Sequence, residues 1–240
     1  QKLYENGFIT YMRTDSTNLS NEAIKGSRKV IKNFYGVEYL PEEARYYSTK
    51  VKNAQEAHEA IRPAGSEFHT KAEVNKMLGD QAARLFDLIW KRTIASQMKS
   101  AKLMQTSIDI INQKAEFRAN GQVILFPGYM RAYIEGRDNP EKDLENKERS
   151  LPNLQRGDQL TCEKLSSEEH NTKPPARYTE ASLVKSLEKN GIGRPSTFAS
   201  IIGTIVKRGY VNRNNGKLTP TFLGVAVTQL LEEHFTNLVD

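Results

Sequence analysis

Apolar and polar positions near the start of the chain follow a strand pattern and then helix patterns. Residues 7–13 are rich in β-branched and aromatic side chains, which predicts a short strand. Ser20 predicts the N-cap of a helix that ends at about residue 35. Asp80 predicts the cap of a strongly amphipathic helix over residues 81–98. The first part of the chain is therefore predicted to be mainly helical.

The middle of the chain changes to the period of a strand. Residues 104–110 alternate apolar or β-branched side chains with polar ones, which predicts a half-buried strand. The Asn-Gly dipeptide at residues 120–121 precedes an apolar run and predicts a type I′ hairpin turn. Residues 158–162 predict another strand, and the charged residues 135–150 predict a mobile loop. The pattern thus places a β unit between two helical parts.

The last part of the chain returns to a helical pattern. Thr179 and Ser196 predict the caps of two consecutive short helices, each of which ends at a glycine. The Asn-Gly dipeptide at residues 215–216 predicts the turn of a small hairpin, and a final helix is predicted from about residue 221. Two helices followed by a hairpin are the element order of a winged helix. The pattern as a whole predicts an α+β chain with several domains.

Composition excludes several classes of protein. The chain has 240 residues, 38% of them apolar, and a single cysteine, Cys162. No stretch approaches the roughly 18 uninterrupted apolar residues of a membrane span, and no signal peptide is visible. One cysteine forms neither an internal disulfide nor a thiolate metal site, which is compatible with a reducing compartment. The histidines at positions 69, 170 and 234 follow no metal-ligand spacing.

Charge is distributed unevenly along the chain. The net charge is +6, from 35 basic and 29 acidic residues. Residues 171–217 hold nine basic and only two acidic side chains, a net of +7, so the rest of the chain carries −1. Such a basic block inside an otherwise neutral chain is typical of a protein that binds a polyanion. The plainer interpretation is a solvated face.

Tyr11 and Arg13 form the first candidate for chemistry. They are two positions apart on the predicted strand, so their side chains leave the same face. An unperturbed phenol has a pKa of about 10 and is a poor nucleophile at neutral pH, whereas a neighbouring guanidinium favours the phenolate and can hold a phosphate oxygen. The pair suits attack by tyrosine on a phosphodiester. The alternative is an edge strand with a half-buried tyrosine and an exposed arginine.

Two other motifs could contact phosphate. His58 is either a hydrogen-bonded scaffold residue or a phosphate ligand and proton donor. In the run Gly-Ile-Gly-Arg-Pro-Ser-Thr the glycines allow close approach, and Arg194 supplies a guanidinium. Ser196 and Thr197 begin a helix, whose N-terminus attracts anions, and Arg208 ends it. The alternative is an ordinary capped helix.

At these motifs the sequence resembles the bacterial type IA DNA topoisomerase I family. Residues 7–20, Gly-Phe-Ile-Thr-Tyr-Met-Arg-Thr-Asp-Ser-Thr-Asn-Leu-Ser, are similar to the family's active-site tyrosine segment. Residues 55–63, Gln-Glu-Ala-His-Glu-Ala-Ile-Arg-Pro, resemble its histidine segment, and residues 173–185 and 191–200 resemble its single-strand-binding region. The motifs occur in the family's order and cover nearly the whole chain.

The resemblance implies a role for each of these residues. Tyr11 would be the nucleophile that attaches to a 5′ phosphate, and Arg13 would position the tyrosine and the scissile phosphate. His58 would contact the phosphate in the same cleft. The residues that would hold the single strand are Arg13, His58, Arg194, Ser196, Thr197 and Arg208. The family relaxes negatively supercoiled DNA without ATP, by transient single-strand cleavage, strand passage and religation.

The resemblance also implies that the chain is an internal piece of a larger enzyme. A Toprim domain with acidic Mg²⁺ ligands is expected before it and a zinc-ribbon region after it, so the parent would use Mg²⁺ while this chain binds no metal and is inactive in relaxation. The expected fold is α+β and multidomain, part of the family's toroid. Its expected parts are a helical active-site tyrosine domain at residues 1–98, a β-rich arch segment at residues 99–172 and part of a winged-helix-like strand-binding domain at residues 173–240.

The expected partner is DNA, chiefly single-stranded, with no membrane and no obligate protein partner, in the bacterial cytoplasm at the nucleoid. Two other classes stay open on the residues alone. One is a non-catalytic winged-helix DNA-binding module that uses the basic block to bind duplex DNA. The other is a structural scaffold whose basic block binds no nucleic acid. Affinities for single-stranded and duplex DNA at several salt concentrations separate the three.

Overall fold

The structure, a computed structural model, describes residues 1–12, 16–47, 59–134 and 150–237. The chain divides into two compact units, Gln1–Leu160 and Thr161–Asp240. Both units contain helices, and both contain a two-stranded antiparallel sheet. The α+β class is therefore confirmed, while the three expected domains stay a prediction. The charged segment expected to be a mobile loop lies outside the described residues, apart from its last residue.

The described part of the first unit has four α-helices and two short 3₁₀ turns. The helices are α1 (Lys2–Glu5), α2 (Asn21–Phe34), α3 (Lys71–Leu78) and α4 (Asp80–Ser96), and the 3₁₀ turns are Val37–Tyr39 and Gly128–Arg131. Ser20 caps α2 as predicted, because its Oγ accepts a hydrogen bond from the Ala23 N–H at 3.2 Å. The sequence patterns above do not predict α3, although its capping box, Thr70 with Glu73, is a recognised signature.

Asp80 is not the cap of α4 that the sequence predicted. Gly79 occupies the N-cap position, with φ of 85°, and Asp80 is the first helical residue. There its carboxylate pairs with Arg84 one turn later, at 2.8 Å. A carboxylate in the first turn also favours the positive end of the helix. The helix itself forms as predicted and ends two residues earlier.

Helix α4 connects two apolar clusters of the first unit. The first cluster contains Leu3, Phe8, Ile9, Val74, Ala83 and Phe86, and the second contains Ile31, Tyr39, Ile94, Ala95, Met98 and Ala132. The rings of Phe8 and Phe86 meet edge to face, with centroids 6.2 Å apart. Because Phe8 and Ile9 belong to this core, the backbone just before Tyr11 is anchored to the body of the unit.

Strands β1 (Lys102–Asn112) and β2 (Ala115–Phe126) form an antiparallel ribbon. Thr106, Ile108 and Ile110 are half-buried, as the alternation predicted, whereas Met104 is exposed. The predicted Asn-Gly turn is wrong, since residues 120 and 121 lie inside β2 and the chain reverses at residues 113 and 114. A turn at residues 120–121 would leave β1 without its partner, so the ladder along the whole of β1 outweighs the local turn preference.

Two other predicted strands do not form. Residues 158–162 are exposed and have no ladder partner among the described residues. In residues 7–12, the described part of the strand predicted at residues 7–13, a single β-bridge joins Ile9 to Pro63. Pro63 has no N–H, and the Arg62 N–H donates to the side chain of Thr10 instead of to the backbone. The ladder therefore stops after one bridge.

The second unit has three helices and a hairpin in its described part. They are α5 (Glu180–Lys189), α6 (Phe198–Lys207), β3 (Val211–Asn214), β4 (Lys217–Pro220) and α7 (Phe222–His234). Asn215 and Gly216 both have positive φ, 49° and 73°, as a type I′ turn requires. Thr179 caps α5 as predicted, and α7 begins next to residue 221 as predicted, with Thr221 as its cap. Ser196 is not the cap of α6, because Thr197 holds that position one residue later.

The first unit offers a direct test of its packing. Phe86 is 1% exposed, so Phe86→Ala is expected to lower the free energy of unfolding by about 3–5 kcal/mol. Trp90 is the only tryptophan and lies on the same helix, so its fluorescence during urea unfolding reports on this unit. The half-exposed Leu88 is the matched control, and Leu88→Ala is expected to cost less than about 1 kcal/mol. Equal costs for the two variants would contradict the packing described.

Candidate active site

Tyr11 lies at the surface of the first unit. Its side chain is 42% exposed, so a substrate can reach it from solvent. The ring packs against that of Tyr4 on α1, with centroids 5.3 Å apart and an angle of 74° between the planes. Edge-to-face contact is a favoured arrangement of aromatic rings. The tyrosine ring is therefore accessible and supported on one side.

The backbone that precedes Tyr11 is held by residues 60–64. The Thr10 N–H donates to the Arg62 carbonyl at 2.9 Å, and the Ala64 N–H donates to the Phe8 carbonyl at 3.0 Å. The Thr10 hydroxyl donates to the Ala60 carbonyl at 2.8 Å and accepts from the Arg62 N–H at 3.0 Å. These bonds fix the direction in which the chain enters Tyr11.

A charged pair, Arg62 with Glu59, lies at the junction where residues 60–64 bond the backbone before Tyr11. Arg62 is 4% exposed, and its Nε and Nη2 atoms donate to the two carboxylate oxygens of Glu59 at 2.8 and 3.1 Å. Burial alone would raise the pKa of Glu59. Hydrogen bonds from Arg62 and Ser20, together with the charge of Arg62, outweigh burial and hold the pKa of this carboxyl below its usual value.

Sequence reasoning missed three residues of this junction. Thr10, Glu59 and Arg62 all fall within the quoted motifs, but only their neighbours Tyr11 and His58 carry an obvious chemical role. A weak signal exists in the sequence, since a charged pair with i,i+3 spacing directly before a proline cannot continue as a helix. The two charged side chains are therefore expected to pair within a turn.

A cleft of about 1020 Å³ opens next to the segment that carries Tyr11. Its lining is mainly apolar, and the Tyr11 side chain is not part of it. The apolar lining residues are Leu3, Ile9, Met12, Leu19, Ala60, Ile61, Ala82, Leu85 and Ile89. Two basic side chains, Lys2 and Arg92, also line the cleft.

Arg13 and His58 lie outside the described residues. Their placement relative to Tyr11 is therefore not tested, and their roles stay predictions. Of the three predicted catalytic residues, Tyr11 is the one that the structure describes.

Three of the predicted strand-binding residues meet at the start of α6. The Thr197 hydroxyl accepts from the Arg194 N–H at 2.8 Å and donates to the Arg194 carbonyl at 3.1 Å. Gly193 has φ of 76°, and a Cβ atom there would lie 2.9 Å from Ile201, so glycine lets the loop close onto the helix. The first turn of α6 contains no acidic residue, and Ser196 is exposed there. This helix start is suited to an anion.

Arg208 lies at the opposite end of α6. A helix of ten residues separates it from Arg194 by roughly 15 Å, at about 1.5 Å per residue. The two arginines therefore lie at opposite ends of the helix. All nine basic side chains of residues 171–217 are exposed, and one of them, Arg213, pairs with Glu180.

Neither clustered metal ligands nor a membrane-spanning helix is present among the described residues. These residues contain no group of three or more His, Cys, Asp or Glu side chains that could hold a metal ion. Within the same residues no helix has both the length and the apolar character needed to cross a membrane.

Comparison with known proteins places these features in context. The sequence model described as DNA topoisomerase matches residues 1–240. Proteins named DNA topoisomerase 1 from Synechococcus elongatus and Synechocystis sp. are 57% and 55% identical to the chain over its full length. The solved structure of full-length topoisomerase I from Thermotoga maritima is 36% identical, with a TM-score of 0.78 over 95% of this chain and 35% of that one. The chain spans about a quarter of the length of the two curated relatives, 27% and 26% respectively.

The lowered pKa of Glu59 predicts a pH-dependent stability. A carboxyl whose pKa is lower in the folded chain stabilises it above the ordinary value of about 4.5, and this contribution is lost as pH falls through the folded-state pKa. The difference in free energy of unfolding between the wild type and Glu59→Gln is therefore expected to be full at pH 7 and pH 5.5 and smaller at pH 3.5. Urea titrations followed by Trp90 fluorescence measure it. A difference that grows on acidification would contradict this prediction.

Proposed function

The chain belongs to the DNA topoisomerase family, and from this premise we propose that it carries the DNA-cleaving tyrosine of a type IA enzyme that relaxes negatively supercoiled DNA. The observation that carries the proposal is Tyr11, an accessible tyrosine on a backbone held by hydrogen bonds, within the segment similar to the family's active site. The parent protein is an isomerase that works without ATP. A non-catalytic winged-helix module is not favoured, because the family match includes the tyrosine segment as well as the basic region.

In the proposed reaction the Tyr11 oxygen attacks the phosphorus of a DNA phosphodiester. A bond forms between the tyrosine oxygen and phosphorus, the bond from phosphorus to the 3′ oxygen breaks, and the phenol proton is balanced by a proton taken up by the leaving 3′ oxygen. The product is a 5′-phosphotyrosyl chain end and a 3′-hydroxyl. Religation is the reverse reaction, in which the 3′ oxygen attacks the same phosphorus and tyrosine leaves.

The absence of an ATP requirement follows from this chemistry. One phosphoester bond replaces another in each direction, so the free energy of the broken DNA bond is kept in the protein–DNA bond. Relaxation is driven by the supercoiling that it removes. The protein needs only to hold both broken ends while the other strand passes through.

Arg13 and His58 complete the proposed cleavage site. A guanidinium two residues from Tyr11 would stabilise the negative charge that develops on the phosphoryl oxygens. The imidazole of His58 would contact the same phosphate. Both roles rest on the sequence motifs in which these residues stand.

The second unit is proposed to hold the single strand next to the break. Thr197 already uses its hydroxyl proton on Arg194, so we assign direct phosphate contact to the Arg194 guanidinium and the Ser196 hydroxyl, and a supporting role to Thr197. Arg208 would hold a different phosphate at the far end of α6. Exposed guanidinium groups suit a sugar-phosphate backbone because they bind phosphate oxygens in pairs.

The remaining features of the proposal concern the whole enzyme. We propose that it requires Mg²⁺ bound outside the residues described here, and that this chain by itself does not relax DNA. DNA, chiefly single-stranded, is the proposed partner, no obligate protein partner is proposed, and the proposed location is the bacterial cytoplasm at the nucleoid. Supercoil relaxation by this chain with Mg²⁺ would overturn the proposed dependence on the rest of the protein.

Covalent trapping tests the role of Tyr11. In the full-length protein Tyr11→Phe is expected to abolish the covalent adduct with single-stranded DNA, because phenylalanine has no oxygen to attack phosphorus. Tyr4→Phe is the matched control, since it removes the neighbouring hydroxyl but keeps the ring that supports Tyr11. Denaturing gels of labelled oligonucleotide measure both adducts. An adduct that persists in Tyr11→Phe would show that another residue is the nucleophile.

Salt dependence tests the strand-binding surface. Loss of one phosphate contact in Arg194→Ala is expected to weaken the affinity of this chain for single-stranded oligonucleotides uniformly across sequences. It should also reduce the slope of log affinity against log salt by about 0.7. Arg118→Ala is the control, because Arg118 is paired with Asp109 on the ribbon at 2.6 Å, and it should leave the slope unchanged. Equal effects of the two substitutions, or tighter binding of duplex DNA, would contradict the assignment.

A further inference from the structure

We propose that Arg62 and Glu59 form a positioning pair that closes the base of the Tyr11 loop and thereby sets the rate of DNA cleavage without touching DNA. Residues 11, 12 and 16–19, called the Tyr11 loop, lie in neither helix nor strand between Thr10 and Ser20. The inference rests on the proposed function of Tyr11. It assigns a task to two residues that the reaction itself does not use.

The guanidinium of Arg62 has no N–H group left for a phosphate. The Nε atom donates one hydrogen bond to the Glu59 carboxylate. The Nη2 atom donates a second to the same carboxylate and another to the Ser20 hydroxyl at 3.3 Å. The Nη1 atom donates to the carbonyls of Pro63 and Gly65 at 2.8 and 2.7 Å. An arginine side chain has five N–H donors, and all five are engaged. A direct role in DNA binding is therefore excluded for this side chain in the folded state.

The same pair reaches both ends of the Tyr11 loop. At the outgoing end, the backbone of Arg62 bonds both the N–H and the hydroxyl of Thr10, the residue directly before Tyr11. At the returning end, the Glu59 carboxylate accepts from the Ser20 N–H at 2.8 Å. A further bond from the Ala60 N–H to the Asn18 carbonyl, at 2.7 Å, lies between these two ends. The two residues of the ion pair thus contact both ends of the loop, Arg62 through its backbone at Thr10 and Glu59 through its carboxylate at Ser20.

Such an arrangement affects geometry more than stability. Buried ion pairs contribute little net stability, because desolvation offsets their attraction. They do fix the relative position of the segments that they join. A nucleophile held in its attack geometry reacts faster, and a displacement of about 1 Å can cost roughly 100-fold in rate. The expected effect of loosening the pair is therefore slower cleavage with unchanged DNA affinity.

Arg28 provides a matched control within the same unit. It lies on α2 and is half-buried. Its guanidinium donates to the carbonyls of Pro41, Glu42 and Glu43 at 3.0, 3.1 and 3.3 Å. It therefore resembles Arg62 as an arginine that ties down a loop through carbonyl groups. None of the three carbonyl groups that accept from Arg28 belongs to the Tyr11 loop or to its two ends.

The test compares Arg62→Lys and Arg28→Lys in the full-length protein. Single-turnover formation of the covalent adduct is measured against oligonucleotide concentration, which separates the maximal rate from the half-saturating concentration. Arg62→Lys is expected to lower the maximal rate about 10- to 100-fold and to leave half-saturation within about twofold, whereas Arg28→Lys should change neither. An unchanged rate in Arg62→Lys, or a change confined to half-saturation, would overturn the proposal.

A second pair of variants covers the case in which Arg62→Lys does not fold. Thr10→Val keeps the shape of the side chain but removes the hydroxyl that bonds Ala60 and Arg62, whereas Thr10→Ser keeps the hydroxyl. Thr10→Val is expected to slow cleavage at least fivefold, and Thr10→Ser to restore most of the rate. Equal rates in the two variants would overturn the proposal.

Hydrogen exchange separates this proposal from the proposed function. In this chain the Thr10 amide bonds the Arg62 carbonyl, and its exchange is expected to be faster in Glu59→Gln than in the wild type. Unchanged exchange would overturn the positioning pair even if Tyr11 forms the adduct. An adduct that forms on another residue would instead overturn the proposed function and leave the exchange result to decide whether the pair holds the loop.

Discussion

The segment that carries Tyr11 depends on a single buried arginine. Arg62 engages every N–H of its guanidinium within the first unit, and its partner Glu59 extends the same network to the cap of α2. A short apolar core under α4 holds Phe8 and Ile9, and Met12 packs against the same core. The bonds to Thr10 fix the backbone between these apolar contacts, directly before the exposed Tyr11.

The structure keeps the reactive group apart from the apolar cleft beside it. The cleft is lined by side chains such as Leu85 and Ile89, whereas the Tyr11 ring stands outside it against Tyr4. In the second unit the anion-suited feature is again at the surface, where α6 begins and every basic side chain of residues 171–217 is exposed.

Local features were predictable from the sequence, and pairing between distant segments was not. The caps Ser20, Thr179 and Thr221 and the Asn-Gly turn of the second hairpin each depend on a few neighbouring residues. The other Asn-Gly dipeptide lies inside β2, because a partner strand outside its local sequence sets the register. The motif around Tyr11 identifies this residue from the sequence. The spacing of Glu59 and Arg62 does not identify them, because their hydrogen-bond partners lie about 40 and 50 residues away along the chain.

The most direct measurement is to locate the nucleotide on the protein after covalent trapping. The full-length protein is trapped on a single-stranded oligonucleotide and digested with a protease and a nuclease, and the modified peptide is sequenced by mass spectrometry. The expected product is a nucleotide joined through its 5′ phosphate to Tyr11. A nucleotide on Tyr4 or on any other residue, or a linkage through a 3′ phosphate, would contradict it.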